Sequence, residues 1–207
     1  MRRIGLLGGS FNPAHRGHRR MSLAAMEALG LDELWWLVLP GNPLKPAQGM
    51  APYSARLASA REMARGTRIR VSSIESRLGT RFTVDTVTAI VRRYPTDRFI
   101  WLMGTDTLPL FHQWKDWRRL ARTIPIAVMS RPGYGGDARA ARAMGWLRWF
   151  VHPAATARRW TNWSAPAISL LRLPPDPTSA TRLRALDPDW HRRFATPLAR
   201  APSQELN

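Results

Sequence analysis

The chain has 207 residues, 44% of them hydrophobic, enough to bury the core of one sizeable domain, and its lack of cysteine excludes a disulfide framework and thiolate chemistry. No apolar run approaches a membrane span, and the one behind the two N-terminal arginines is too short for a secretion signal, so a cytoplasmic location and no membrane partner are expected. The net charge of +18 would suit a polyanion binder, but the cations, all arginine except Lys45 and Lys115, are scattered singly or in pairs among abundant Ala and Pro; the excess reads as compositional, and no specific nucleic-acid partner is expected.

Ile4-Gly5-Leu6-Leu7 has the unbroken apolarity of a strand buried on both faces. Gly8-Gly9 stops it and, having no Cβ, lets the backbone come within contact distance of a bulky ligand. Ser10 and Asn12 offer local hydrogen bonds, Pro13 denies a regular ladder, and from about Gly17 the apolar positions Met21, Leu23, Ala24, Ala25, Ala28 and Leu29 recur at helical spacing. His15 and His18 then share a face at the start of a helix whose N–H groups point back at the strand end, a natural anion site. Two surface or packed histidines, or a metal pair, are the other readings of these residues, and no HExxH pattern supports the metal.

A second buried strand follows at 34–39, then a loop at 40–46 dense in Pro and Gly; its Lys45 is either solvated or a phosphate contact. A helix is expected at 53–65 and a strand at 69–72. Thr83 stands at the mouth of a helix carrying Val87, Ile90 and Val91, as a cap or as a ligand donor. The strand at 99–103 ends in Gly104-Thr105-Asp106, suited either to a turn and cap or to ribose hydroxyls. Phe111, Trp114, Trp117 and Leu120 at helical spacing read as core, and 124–129 as a fifth strand. Beyond it the pattern weakens, with a surface helix expected at 138–144, strands at 149–151 and 167–171, and a hydroxyl-capped helix start bearing Arg182 and Arg184 at 178–184, a second anion site. Alternating strands and helices predict an α/β fold: a Rossmann-like, doubly wound parallel sheet with helices on both faces and a small C-terminal helical segment, one domain over 1–194 with a loose tail at 195–207.

Gly8 to His18, reading GGSFNPAHRGH, resembles the signature of the HxGH nucleotidyltransferases, in which the two histidines contact ATP phosphates. Taken with Asn-Pro-Leu-Lys at 42–45, Phe-Thr at 82–83, Gly-Thr-Asp at 104–106, Arg-Pro-Gly at 131–133 and Thr-Ser-Ala-Thr-Arg-Leu-Arg at 178–184, nearly the whole chain resembles bacterial nicotinate-nucleotide adenylyltransferases. The resemblance implies an enzyme of NAD biosynthesis joining ATP and nicotinate mononucleotide, with Mg²⁺ carried on the ATP phosphates. It implies that Gly8, Gly9, Ser10, Phe11, His15, His18, Gly104, Asp106, Ser179, Thr181 and Arg184 bind ATP, with His15, His18 and Arg184 catalytic. Lys45, Thr83, Trp114, Lys115 and Arg131 would bind the acceptor. Two positions depart from the family pattern: Ala180 replaces a usual Ser, and Leu44 a frequent His. The alternatives are another member of the superfamily (a nicotinamide mononucleotide or phosphopantetheine adenylyltransferase, or a cytidylyltransferase), a non-catalytic nucleotide binder, and a basic nucleic-acid-binding module.

Overall fold

The apolar runs form β1 (Arg3–Gly9), β2 (Glu33–Val38), β3 (Ile69–Ser72), β4 (Arg98–Gly104), β5 (Ile126–Met129) and β6 (Ile168–Leu171). In the computed structural model, which describes residues 1–41, 49–130, 140–173 and 176–194, they make one all-parallel sheet in the order β3-β2-β1-β4-β5-β6. Successive side chains go to opposite faces. Ile4, Leu6, Trp35, Leu37, Phe99 and Trp101 pack on one side, and Leu7, Leu34, Trp36, Val38, Ile100 and Leu102 on the other. Because both sides are covered, the strands need no polar alternation, and adjacent Trp35 and Trp36 are both fully buried.

The second of these faces is covered by α1 (Arg16–Leu29) and α2 (Tyr53–Ala64). The first is covered by α3 (Ile74–Leu78), α4 (Thr83–Arg93), α5 (Trp117–Thr123) and α6 (Met144–Leu147). The chain crosses one face while building outward from β1 to β3 and the other from β3 through β4 to β5. Between β5 and β6 it runs from α6 on that face to a 3-10 helix, Ala154–Asn162, whose Ala157 and Trp160 pack on the α1 side. The reversal therefore lies between β1 and β4, where doubly wound sheets open a crevice at the carboxyl ends of the strands.

Three expectations are corrected. The expected strand at 149–151 is a 3-10 turn, Arg148–Phe150, followed by a single bridge from Val151 to Ile168. Trp146 and Phe150 meet at 5.1 Å, the i, i+4 contact of helical backbone, while Trp149 is 73% exposed and has no sheet to enter. Of the surface helix expected at 138–144, residues 138 and 139 lie outside the described residues, Ala140 is helical and 141–143 are not; the helical piece that follows, Met144–Leu147, faces inward, with Ala143 and Leu147 fully buried. The aromatic stripe is core, as expected for Phe111 and Leu120, but its helix is broken into a 3-10 turn, Leu108–Gln113, and α5, because Asp116 at φ 47 takes a left-handed conformation between them. The C-terminal helical segment is α7 (Ala180–Leu186), followed by a 3-10 turn, Trp190–Phe194. The tail expected at 195–207 lies outside the described residues, as do Lys45 and Arg131.

Candidate active site

β1 delivers the glycine-rich loop to the centre of the carboxyl edge. A Cβ on Gly8 would lie 2.8 Å from the Trp101 ring, so the backbone passes directly over that indole and only glycine fits. Phe11, at φ 46, turns inward to stack on Trp36 at 4.8 Å, so any contact it makes with a nucleotide comes from its main chain. His15 ends the loop in extended conformation and α1 begins at the next residue. A Cβ on Gly17 would meet the His15 ring at 3.0 Å and the Thr178 carbonyl at 3.1 Å, so this glycine admits the C-terminal segment against the loop.

The two imidazoles are the heart of the loop. His15 is buried, His18 half-buried, and their ring centroids are 3.8 Å apart at the N-terminus of the 14-residue helix. The His15 main-chain N–H donates to His18 Nδ1 at 3.3 Å. An Nδ1 that accepts leaves the ring proton on Nε2, so His18 is held in the tautomer whose Nε2 is a donor.

Arg184 joins the second anion motif to the first across 172 residues of sequence: its Nη1 donates to the Asn12 carbonyl at 2.7 Å and its Nη2 to Thr181 Oγ1 at 3.4 Å. Ser179 caps α7, accepting from the Arg182 N–H at 3.2 Å, and lies exposed with Thr181. Asp176 anchors the same segment, accepting from the Thr178 N–H at 2.9 Å and pairing with Arg20 at 3.2 Å. Hydrogen bonds from Thr178, then the charges of Arg16 and Arg20, hold its carboxyl below the usual carboxylate range. Across the crevice, β4 ends at Gly104; the Thr105 N–H donates to the Met129 carbonyl at 2.9 Å and leaves Asp106 half-buried in the turn.

Thr83 is the first residue of α4, and the segment 114–119 lies against that helix end. Lys115 Nζ sits 4.4 Å over the Phe82 ring and 3.9 Å from Asp85, to which Arg119 also pairs at 3.0 Å. Half-buried Trp114 meets Trp101 edge-on at 6.0 Å. Trp101 therefore spans from beneath Gly8 to Trp114, and Lys115, next to Trp114, reaches over Phe82 beside Thr83 at the start of α4.

The cytidylyltransferase-like family matches residues 6–185, from the first strand through the C-terminal motif. A "Probable nicotinate-nucleotide adenylyltransferase" of Erythrobacter litoralis is 58% identical over 196 residues, covering 95% of this chain and 90% of that protein. This chain belongs to the nicotinate-nucleotide adenylyltransferase family. A member from Parvibaculum lavamentivorans is 50% identical, covering 88% of this chain and 90% of its own length. The fold matches a Plasmodium falciparum nicotinic acid mononucleotide adenylyltransferase, solved in complex with NaAD, at a TM-score of 0.65, with 15% identity over 89% of this chain and 83% of that one.

In this member of the family, two buried groups beside the site escape a reading of the sequence. Arg56, on α2, is 1% exposed; the available signal was a cation on the stripe Ala55, Ser59, Ala60 and Ala64 that α2 buries. Glu75, on α3, is 3% exposed and accepts from Thr86 Oγ1 at 3.2 Å, while Thr86 and Thr80 share a 2.7 Å hydrogen bond over the start of α4. Burial pushes the Glu75 carboxyl up to about 7, with the Thr86 hydrogen bond opposing.

A carboxyl raised in the fold keeps its proton where the unfolded chain has released it, so its contribution to stability is present below the unfolded value near 4.5 and is lost as pH rises towards 7. The shift corresponds to about 3 kcal/mol between pH 4.5 and 7. Asp32, Asp97 and Asp176, all lowered, act with the opposite sign in a more acid range. Thermal unfolding should show Glu75→Gln holding its Tm across pH 5 to 8 while the wild type declines; parallel profiles would rule out this carboxyl as the source.

Proposed function

We propose that the chain transfers the adenylyl group of ATP to nicotinate mononucleotide, releasing pyrophosphate and forming nicotinate adenine dinucleotide, as a single domain over residues 1–194. The observation that carries this reading is the convergence of the two anion motifs, with Arg184 bonded to the Asn12 carbonyl beside the paired imidazoles of His15 and His18 at the point where the strand order reverses. The attacking group is a phosphate monoester, anionic at neutral pH because its second pKa is about 6, so no general base is required. Its oxygen bonds to the α-phosphorus as the bond to the pyrophosphate oxygen breaks. The enzyme's task is in-line alignment and neutralisation of charge on the departing oxygens.

In this reading the loop main chain from Gly8 to Phe11 lets the triphosphate approach, and His15, His18, Ser179, Thr181 and Arg184 surround its phosphates. Ser179, whose oxygen accepts from the Arg182 N–H, keeps its O–H free to donate to a phosphate oxygen, and the Ala180 main-chain N–H replaces the hydroxyl lacking at that position. Gly104 and Asp106 receive the adenosine ribose. Thr83, Trp114 and Lys115, with Lys45 and Arg131 from the sequence that follows β2 and β5, receive the acceptor. Mg²⁺ enters as part of the Mg–ATP substrate, its coordination filled mainly by phosphate oxygens and water.

The test is to incubate the protein with Mg–ATP and each of nicotinate mononucleotide, nicotinamide mononucleotide and phosphopantetheine, and to measure pyrophosphate. Release dependent on nicotinate mononucleotide is the expected result. Release only with phosphopantetheine would replace the acceptor, and no release with any acceptor would overturn adenylyl transfer.

A further inference from the structure

The site described above uses no group from α2, yet α2 carries a fully buried cation aimed at its loops. Among the described residues no carboxylate pairs with Arg56. Its guanidinium instead donates to four main-chain carbonyls: Nη1 to Ser10 and Leu39, each at 2.8 Å, Nη2 to Pro40 at 2.9 Å, and Nε to Ala51 at 3.1 Å. Ser10 is in the histidine loop, Leu39 and Pro40 are where the chain leaves β2, and Ala51 is where it returns to α2. Three strands of chain thus converge on one planar fork, whose geometry fixes their spacing as no flexible point charge could.

The neighbours extend the same hold. The Ala14 N–H donates to Ser59 Oγ at 3.2 Å, one turn along α2, so the helix grips the histidine loop at Ser10 and again just before His15. Asn12 adds a second tie to the returning chain: its Nδ2 donates to the Gly49 carbonyl at 2.9 Å and its Oδ1 accepts from the Ala51 N–H at 3.2 Å. A peptide plane is rigid, with its C=O and N–H opposed, so holding the Ser10 carbonyl towards Arg56 turns the Phe11 N–H the other way, out of the α2 side of the loop.

We propose that Arg56 is a positioning residue for the reaction, setting the histidine loop at a fixed distance from the chain at the end of β2 and the start of α2. It touches no substrate. The inference rests on the adenylyl-transfer reading of the site, and its effect is on the relative placement of two loops rather than on the affinity of either for its own ligand. In-line displacement is sensitive to errors of about 1 Å, which can cost on the order of 10²-fold in rate.

The experiment compares wild type, R56K and R56Q, with R61A, an exposed cation on the same helix, as control. Isothermal titration with a non-hydrolysable ATP analogue gives the number of competent sites per chain and Kd, and pyrophosphate release gives kcat and both KM values. Wild-type turnover tests the adenylyl-transfer reading by itself, and whichever acceptor in the panel is used carries the comparison. The expected result is near one site per chain in R56K, Kd and KM within about threefold of wild type, and kcat lower by about 30-fold or more, with R56Q lower still and R61A unchanged. Turnover in R56K within about threefold of wild type overturns the proposal. So does loss of binding-competent sites in both variants, which would make Arg56 a support of the fold and not a device for alignment.

Discussion

Replacing His18 by alanine is expected to lower kcat by about 10²-fold or more while the KM for ATP changes far less. The tautomer of His18 is the reason. His18 Nδ1 accepts from the His15 main-chain N–H, which puts the ring proton on Nε2 and fixes the ring's orientation through the start of α1. Contact with Phe11 at 5.0 Å and the tilted His15 ring at 3.8 Å hold it from two sides. In the proposed reaction a donor held in this way would stabilise the charge that builds on the phosphate oxygens as the pyrophosphate bond breaks, and would contribute little to holding ATP before that. Losing one such preorganised donor raises a barrier by about 3 kcal/mol. Steady-state kinetics at saturating acceptor separate the two effects, with Arg98→Ala, exposed at the opposite end of β4, as the control. Near wild-type turnover in His18→Ala would remove this histidine from the mechanism. A rise in KM with kcat unchanged would make it a ground-state phosphate contact. His15 is a poorer probe, because its ring is buried against Gly17 and its removal disturbs the loop as well as the chemistry.

Much of this site was legible in the sequence, because its parts lie where regular structure stops. Strands buried on both faces appear as unbroken apolar runs, so the ends of β1 and β4 are marked by the glycines at 8–9 and 104, whereas the strand order came only from the structure. The glycines at 8 and 17 report steric demands that the structure makes explicit, a Trp101 ring and a Thr178 carbonyl. What stayed hidden depends on tertiary partners. Arg56 is one arginine among many until its four carbonyls are seen, since main-chain acceptors leave no trace in side-chain identity. Glu75 likewise looks like any helix-start acid, and only the cover of α4 makes it a buried one. Near residue 150 the local signal misled, because aromatic residues favour strands by propensity but here pack as i, i+4 partners on a helical turn.

Acceptor choice should favour nicotinate mononucleotide over nicotinamide mononucleotide by about 30- to 1,000-fold in kcat/KM. The two acceptors differ only where one presents a carboxylate and the other a neutral amide, so discrimination must come from donors placed where an amide NH₂ cannot be satisfied. Thr83 opens α4, where the first N–H groups of the helix have no intrahelical acceptor, and its hydroxyl lies on that same end. Lys115, held over Phe82 at 4.4 Å, adds positive charge alongside. A carboxylate meeting these donors is fully paired, whereas an amide turns its NH₂ towards a donor and leaves both unmatched, a loss of roughly 2–4 kcal/mol. Trp114 is half-buried and propped edge-on by Trp101 and Phe111, and in the proposed site its indole would stack on the pyridine ring without sensing the substituent. Trp114→Ala should therefore weaken both acceptors by similar factors, and Thr83→Ala should narrow the gap between them by lowering the nicotinate value. The measurement is kcat/KM for both acceptors in the three proteins. Equal values in the unmutated enzyme would sink the assignment of nicotinate as the preferred ring while leaving adenylyl transfer intact, and a Thr83→Ala gap as wide as the wild type's would move the discrimination to other donors at the end of α4.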